Sequence, residues 1–373
     1  MMALLPAWRR WLAPLVLAVL LVPSVGMLFA RVQTRSASEN RMLAPAPARP
    51  TSLEAWLTLP KTASAYLSDH FAFRRVLISA DNQLHWRLGG QIDGGEVLRG
   101  KADRLFLREN LLIVTGAVVR PDKVETYSRL ICALHDQLAA RSVPMVFSMA
   151  PSPAVIYPED LPNWVPHGAP SEADLLFAQA KACGVKAVDL RPALMAAKPG
   201  GSIYYHHDTH WTDKGALIAY NALVQGLGRP DWITPPATLT WRQAPENLAD
   251  LQHMSGATDL PTETMQAPDL TAQRQSLNES IIDGLDDSMA HSNNIASTGH
   301  PGPTVLIIGD SYSQDFMPPY FAAHVGKIAW IHHQWCRFDW SVFDRVKPDY
   351  VIFMPADRAA SCKRGAQPLH MPQ

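Results

Sequence analysis

Three runs, Pro144–Met149 (PMVFSM), Thr304–Ile308 (TVLII) and Tyr350–Met354 (YVIFM), are short, apolar and rich in β-branched or aromatic residues. A strand with no polar face must be covered on both sides, as happens in a parallel sheet flanked by helices. The intervening segments supply those helices. Lys123–Arg141 turns Val124, Leu130, Ile131, Leu134 and Leu138 inward. Ser171–Cys183 opens with Ser171-Glu172-Ala173-Asp174, a capping-box pattern, and stops at Gly184, a C′ position. Thr212–Leu227 reads as a helix capped by Thr212 or Asp213, while Leu105–Val114, Val185–Leu190 and Lys327–Ile331 read as strands. The alternation predicts an α/β fold with a mostly parallel sheet. In such folds reactive side chains gather beyond the carboxyl ends of the strands.

The 373 residues accommodate one large domain with an extension. Trp11–Ala30 is uncharged over twenty positions, between Arg10 and Arg31. A helix of that length reaches across about 30 Å, a bilayer core. This predicts residues 1–30 as a single N-terminal transmembrane helix. With Arg9 and Arg10 on the cytoplasmic side, the protein is then a single-pass membrane one with its body outside the cytoplasm. A signal peptide cleaved near Ser24-Val25-Gly26 is the other reading. Residues 31–60, with Pro45, Pro47, Pro50 and Pro60, form a tether, and 61–90 show helical periodicity. The catalytic domain is expected over 61–358. Within it 228–303 holds eight prolines and reads as an insertion with short helices beside the substrate groove; 359–373 is a tail.

A net charge of −1 with no long basic run gives no reason to expect nucleic acid. Cys132, Cys183, Cys336 and Cys362 fit an oxidising compartment, and no Cys-x-x-Cys pair points to zinc or thioredoxin chemistry. Three pairings are possible. Cys132–Cys183 with Cys336–Cys362 is preferred because each joins neighbouring elements; free buried thiols are the alternative.

The chemistry concentrates in two strings, Asp208-Thr209-His210-Trp211 and Gly309-Asp310-Ser311-Tyr312-Ser313. Ser311 follows an apolar strand, so its hydroxyl lies at the sheet's carboxyl edge among backbone N–H groups that suit an oxyanion. His210 supplies the base such a hydroxyl needs, and Asp208 its orienting carboxylate. Trp211 is placed to wall the site, and Arg358, just after the last buried strand, to meet anionic charge. Against this, Asp208-Thr209 reads equally as the approach to a helix, and Gly-Asp-Ser as ordinary turn chemistry. His206, His207, Asp208 and His210 also resemble a metal cluster. Adjacent strand residues face opposite ways, however, which argues against a shared ion, and no metal or cofactor is expected. His332 and His333 read as ordinary strand-end residues.

The order of these features resembles the SGNH-hydrolase-like family of AlgX and AlgJ, proteins of bacterial alginate O-acetylation. The resemblance is carried by Ser38-Glu39-Asn40-Arg41, Asp69-His70-Phe71-Ala72-Phe73-Arg74 and Gly100-Lys101, then Ile156-Tyr157-Pro158-Glu159-Asp160-Leu161-Pro162. Asp208-x-His210-Trp211, Gly309-x-Ser311-Tyr312-Ser313 and Pro348-Asp349 with Arg358 complete it. It implies a three-layer α/β/α fold in which histidine precedes serine, the reverse of the usual order. It further implies Ser311 as nucleophile, His210 as base, Asp208 as orienter, and Tyr312, Trp211 and Arg358 on the substrate and oxyanion side. The activity implied is transfer of acetyl groups to exopolysaccharide hydroxyls in the periplasm. A membrane-bound O-acyltransferase would supply the donor, alongside other exopolysaccharide secretion proteins. An amino-terminal anchor without an added carbohydrate-binding domain is closer to AlgJ, and the resemblance implies a single-pass inner-membrane protein with its catalytic domain in the periplasm. Two departures concern the polymer: Pro151-Ser152-Pro153 stands where relatives carry Pro-x-Lys, and Ala356-Asp357-Arg358 replaces a Glu-Arg ending. A carbohydrate acetylesterase with the same triad is the alternative activity. A non-catalytic polysaccharide-binding or scaffold protein, stacking sugars on Trp330 and Trp335, is the alternative from another class.

Overall fold

The structure, a computed structural model, describes residues 41–88, 96–246, 249–255, 260–285 and 293–362, with 34–36 and scattered positions from 11 to 26. Two compact units divide the chain: Met1–Val97 with Asp250–Pro261, and Leu98–Ala249 with Thr262–Gln373.

In the first unit, helices run over Leu53–His70 and Arg74–Arg87. Ser52 starts the first by accepting from the Ala55 N–H at 3.2 Å. At its far end the Asp69 carboxylate accepts from the Ala44 N–H at 2.8 Å, and the His70 ring meets the Ala44 carbonyl at 3.0 Å. Among the described residues no helix is long and apolar enough to cross a membrane. That finding overturns the expected single-pass inner-membrane helix over 11–30, much of which lies outside the described residues. Pro14 and Pro23 fall inside the apolar run, and proline lacks the N–H that a helix interior uses, a cost that an argument from length and hydropathy omits.

The second unit is built on a seven-stranded sheet. Its strands are β1 (Met145–Ser148), β2 (Lys186–Val188), β3 (Asn278–Ile281), β4 (Asn293–Ser297), β5 (Thr304–Gly309), β6 (Lys327–His332) and β7 (Tyr350–Met354), in the order β2-β1-β7-β5-β6-β4-β3. The first five in that order are parallel; β4 and β3 are antiparallel additions on β6. The sheet is therefore mixed rather than mostly parallel. The two added strands come from the proline-rich 228–303 segment. β3 is exposed along its length and β4 only partly buried; β4 pairs with β6 and β3 with β4, and that pairing makes them strands.

Alternation along the central strands divides the core. Val305 and Ile307 of β5 face α3 (Asp213–Gly226), whose Ala216, Tyr220 and Leu223 are buried against them. Leu306 and Ile308 face the other way, toward α1 (Pro121–Ala140) and α2 (Glu172–Ala182). Each such Val, Leu or Ile side chain contributes about 1.5–3 kcal/mol. Helices thus cover both faces, as the three apolar runs require. The capping box at Ser171 forms, with Asp174 accepting from the Ser171 N–H at 2.8 Å. Leu105–Val114, by contrast, is a strand only over Leu105–Leu107 and then a helical turn, Leu111–Val114.

Candidate active site

Gly309 ends β5 opposite His332 on one neighbour and Met354 on the other. The chain then turns at Asp310 into a single helical turn, α4 (Ser311–Gln314). Asp310 does two jobs: one carboxylate oxygen accepts from the Tyr312 N–H at 3.2 Å, the other from the Ala356 N–H beyond β7 at 2.7 Å. The serine turn is thereby fastened to two strands. Close approach explains Gly309, where a Cβ would stand 2.3 Å from the Ser313 hydroxyl oxygen. Ser313 in turn donates to the Asp310 carbonyl at 2.9 Å and accepts from the Trp330 indole at 2.9 Å.

The histidine arrives on a hairpin. Tyr204 and Trp211 form an antiparallel bridge, and the Thr212 N–H donates to the Ile203 carbonyl at 2.9 Å, leaving Asp208-Thr209-His210 at the tip. Thr212 then caps α3 by accepting from the Gly215 N–H at 3.4 Å. A Cβ at Gly215 would lie 2.3 Å from the Ile203 carbonyl oxygen and 2.8 Å from the Trp211 Cβ. Gly215→Ala is expected to lower stability by about 1–3 kcal/mol through overpacking under this hairpin. Urea denaturation checks it, and an unchanged midpoint would refute the close packing.

Asp208 Oδ1 accepts from the His210 N–H at 2.7 Å and from His210 Nδ1 at 2.6 Å. The other ring nitrogen, Nε2, lies 2.7 Å from Ser311 Oγ. A carboxylate only accepts, so the proton sits on Nδ1 and Nε2 is left to accept from the serine hydroxyl. Asp208 is fully buried and His210 is 6% exposed, so little water competes for these bonds. The structure brings together the three side chains singled out from the two strings, 101 residues apart in the case of histidine and serine. Such a line can move a proton off the hydroxyl as it attacks a carbonyl.

Trp211 and Tyr312 are both fully buried, edge to face with ring centroids 5.0 Å apart, and so lie behind the His210–Ser311 pair. Tyr312 is also 4.8 Å from the His210 ring. Its hydroxyl donates to the Thr209 carbonyl and accepts from Arg358 Nη1 at 3.2 Å. Burial pushes the Tyr312 phenol well above its ordinary range, although Arg358 works against that rise. Cys132–Cys183 and Cys336–Cys362 are joined as disulfides.

Several supporting residues escaped sequence reasoning. Arg104, 2% exposed, donates to the Tyr205 carbonyl at 2.8 Å and to Asp160 at 2.9 Å, with its guanidinium 3.8 Å over the Tyr157 ring. It buttresses the hairpin from behind. Glu263 grips the same hairpin, accepting from the His206 N–H at 2.7 Å and pairing with its ring at 2.6 Å. Burial opposes the Glu263 charge, yet the His206 bonds outweigh it and hold the carboxyl below its usual range. His207 is buried as well, with burial holding its ring below the ordinary imidazole range. Asp357 accepts from the Ser152 N–H at 2.8 Å, from the Ser152 hydroxyl, and from the Arg358 N–H at 2.7 Å. A charged residue opening an apolar strand, as Arg104 does, was the one available signal.

A mixed sheet covered on both faces, with serine on the turn after a central strand and a histidine–aspartate hairpin beside it, is an SGNH hydrolase-like α/β domain. Solved structures share this fold. PatB1 of Bacillus cereus, determined with a sulfonyl adduct, superposes with a TM-score of 0.52 at 13% identity, covering 72% of this chain and 95% of that one. A DHHW family protein from Eubacterium siraeum gives 0.51 at 16% identity, covering 72% and 92%. Residues 97–323 match the family described as "SGNH hydrolase-like domain, acetyltransferase AlgX", and the chain belongs to that family. Among curated proteins, a probable alginate O-acetylase AlgJ of Pseudomonas syringae pv. tomato is 30% identical over 167 residues, 44% of this chain. The match spans 41% of that relative's length.

Proposed function

We propose that this chain is an O-acetyltransferase that moves acetyl groups onto hydroxyls of an alginate-like exopolysaccharide through an acyl-enzyme on Ser311. The observation that carries the reading is the Asp208–His210–Ser311 line, with both links at 2.7 Å or less. Ser311 Oγ attacks the acetyl carbonyl while His210 Nε2 takes its proton. The Ser311 N–H opens its helix, outside the intrahelical ladder, and faces the developing oxyanion. The tetrahedral adduct collapses, and the donor's leaving oxygen departs with the proton held by His210. A sugar hydroxyl then attacks the Ser311 ester, passing its proton to His210, and Ser311 leaves with that proton returned. The acetyl donor comes by way of a membrane-bound O-acyltransferase, and two disulfides suit an oxidising compartment such as the periplasm.

A fluorophosphonate probe is expected to label Ser311 stoichiometrically, detected by peptide mass spectrometry. Absence of label in folded protein would overturn the acyl-enzyme. With p-nitrophenyl acetate as donor, acetyl should partition to added oligouronate over water. Release to water alone would replace the transferase by an acetylesterase.

A further inference from the structure

The nucleophile turn and the base hairpin are separate pieces of chain, and something must hold His210 at hydrogen-bonding distance from Ser311. Tyr312 connects them directly. Tyr312, next to Ser311, sends its hydroxyl to the carbonyl of Thr209, next to His210. Donor and acceptor roles here are unambiguous. A carbonyl can only accept, so the phenolic proton is directed at Thr209; a guanidinium can only donate, so Arg358 Nη1 fills the phenol oxygen's lone pair at 3.2 Å. Arg358 is itself fixed: Asp357, held by the backbone and hydroxyl of Ser152, accepts from the Arg358 N–H. The Arg358 guanidinium also lies 5.3 Å from the centre of the Tyr312 ring. The loop after β7 therefore reaches through Arg358 and Tyr312 to the hairpin tip, while Asp310 fastens the same loop to the serine turn at Ala356.

We propose that Tyr312 and Arg358 are positioning residues: the Tyr312 hydroxyl, oriented by Arg358, clamps the Thr209 carbonyl and so sets the His210–Ser311 separation. This assignment rests on the reading of His210 and Ser311 as the reacting pair. It moves both residues away from contact with substrate, consistent with the full burial of Tyr312. Loss of the clamp leaves the residues that touch acetyl donor intact and spoils the alignment between them, and misplacement by about 1 Å costs on the order of a hundredfold.

The test is steady-state hydrolysis of p-nitrophenyl acetate by the full chain and the variants Tyr312→Phe, Arg358→Gln and Ser311→Ala, with circular dichroism on each. Tyr312→Phe is expected to lower kcat by about 10- to 100-fold with KM within about twofold, and to slow fluorophosphonate labelling in proportion. Arg358→Gln keeps the bond to Thr209 and is expected to lose about fivefold in kcat, again at unchanged KM. A raised KM at constant kcat in either variant would mean substrate contact and overturn the proposal, as would wild-type kcat in folded Tyr312→Phe. Should Tyr312→Phe fail to fold, Arg358→Gln decides by the same split. Activity surviving in Ser311→Ala takes down the acyl-enzyme and the clamp with it; a dead Ser311→Ala beside a fully active Tyr312→Phe takes down the clamp alone.

Discussion

Ser311→Ala is expected to lower kcat for acetyl transfer by about a million-fold, to the residual rate that binding and oxyanion donors alone sustain. The effect is this large because the substitution deletes the atom that forms the covalent ester in the proposed mechanism and leaves His210 with no hydroxyl to deprotonate. Stability should barely change. Ser311 is only partly buried, its side chain bonds to His210 among the described residues, and a bond of that kind contributes about 1 kcal/mol. The turn itself is held by Asp310, Ser313 and Trp330, which the substitution does not touch. The measurement is acetyl transfer from p-nitrophenyl acetate to oligouronate, with thermal unfolding in parallel. Transfer within tenfold of the unsubstituted chain, in protein with an unchanged midpoint, would remove Ser311 from the chemistry.

What the sequence made legible here is what local physics determines. Val305–Ile308 and Val351–Met354 have no polar side to offer, so a covered central strand was their only outcome, and both are central strands. Ser171 and Asp174 write a helix start into four residues, and the reciprocal cap forms. The residues near Ser311 and His210 were legible as strings because each string is one local turn. What was not legible depends on partners distant in the chain. Asn278–Ile281 and Asn293–Ser297 carry no strong pattern and become strands only because β6 offers an edge to Asn293–Ser297, which in turn offers one to Asn278–Ile281. Arg104 and Glu263 look like surface charges until the fold brings them against Tyr205 and His206. The apolar run over 11–30 shows the opposite failure. Hydropathy and length pointed to a spanning helix, and among the described residues no such helix is found.

Asp208 is where geometry sharpens a second large expectation. A single oxygen, Oδ1, accepts both the His210 backbone N–H and the ring Nδ1–H. In Asp208→Asn the amide carbonyl is the only group able to accept both, so it should take that place, with the NH₂ directed away. The ring then keeps its orientation and tautomer, and what is lost is the negative charge that, in the proposed mechanism, stabilises the imidazolium as His210 takes the serine proton. That loss is worth about a thousandfold in kcat in a buried, water-poor site. Asp208→Ala removes both orienting bonds as well and is expected to cost about ten thousandfold. The order of the two variants is therefore the diagnostic quantity. Measured with p-nitrophenyl acetate, equal losses would mean that Asn has reversed its amide and set the wrong tautomer. A loss under tenfold in folded Asp208→Asn would mean that the buried carboxylate does not support proton transfer at His210.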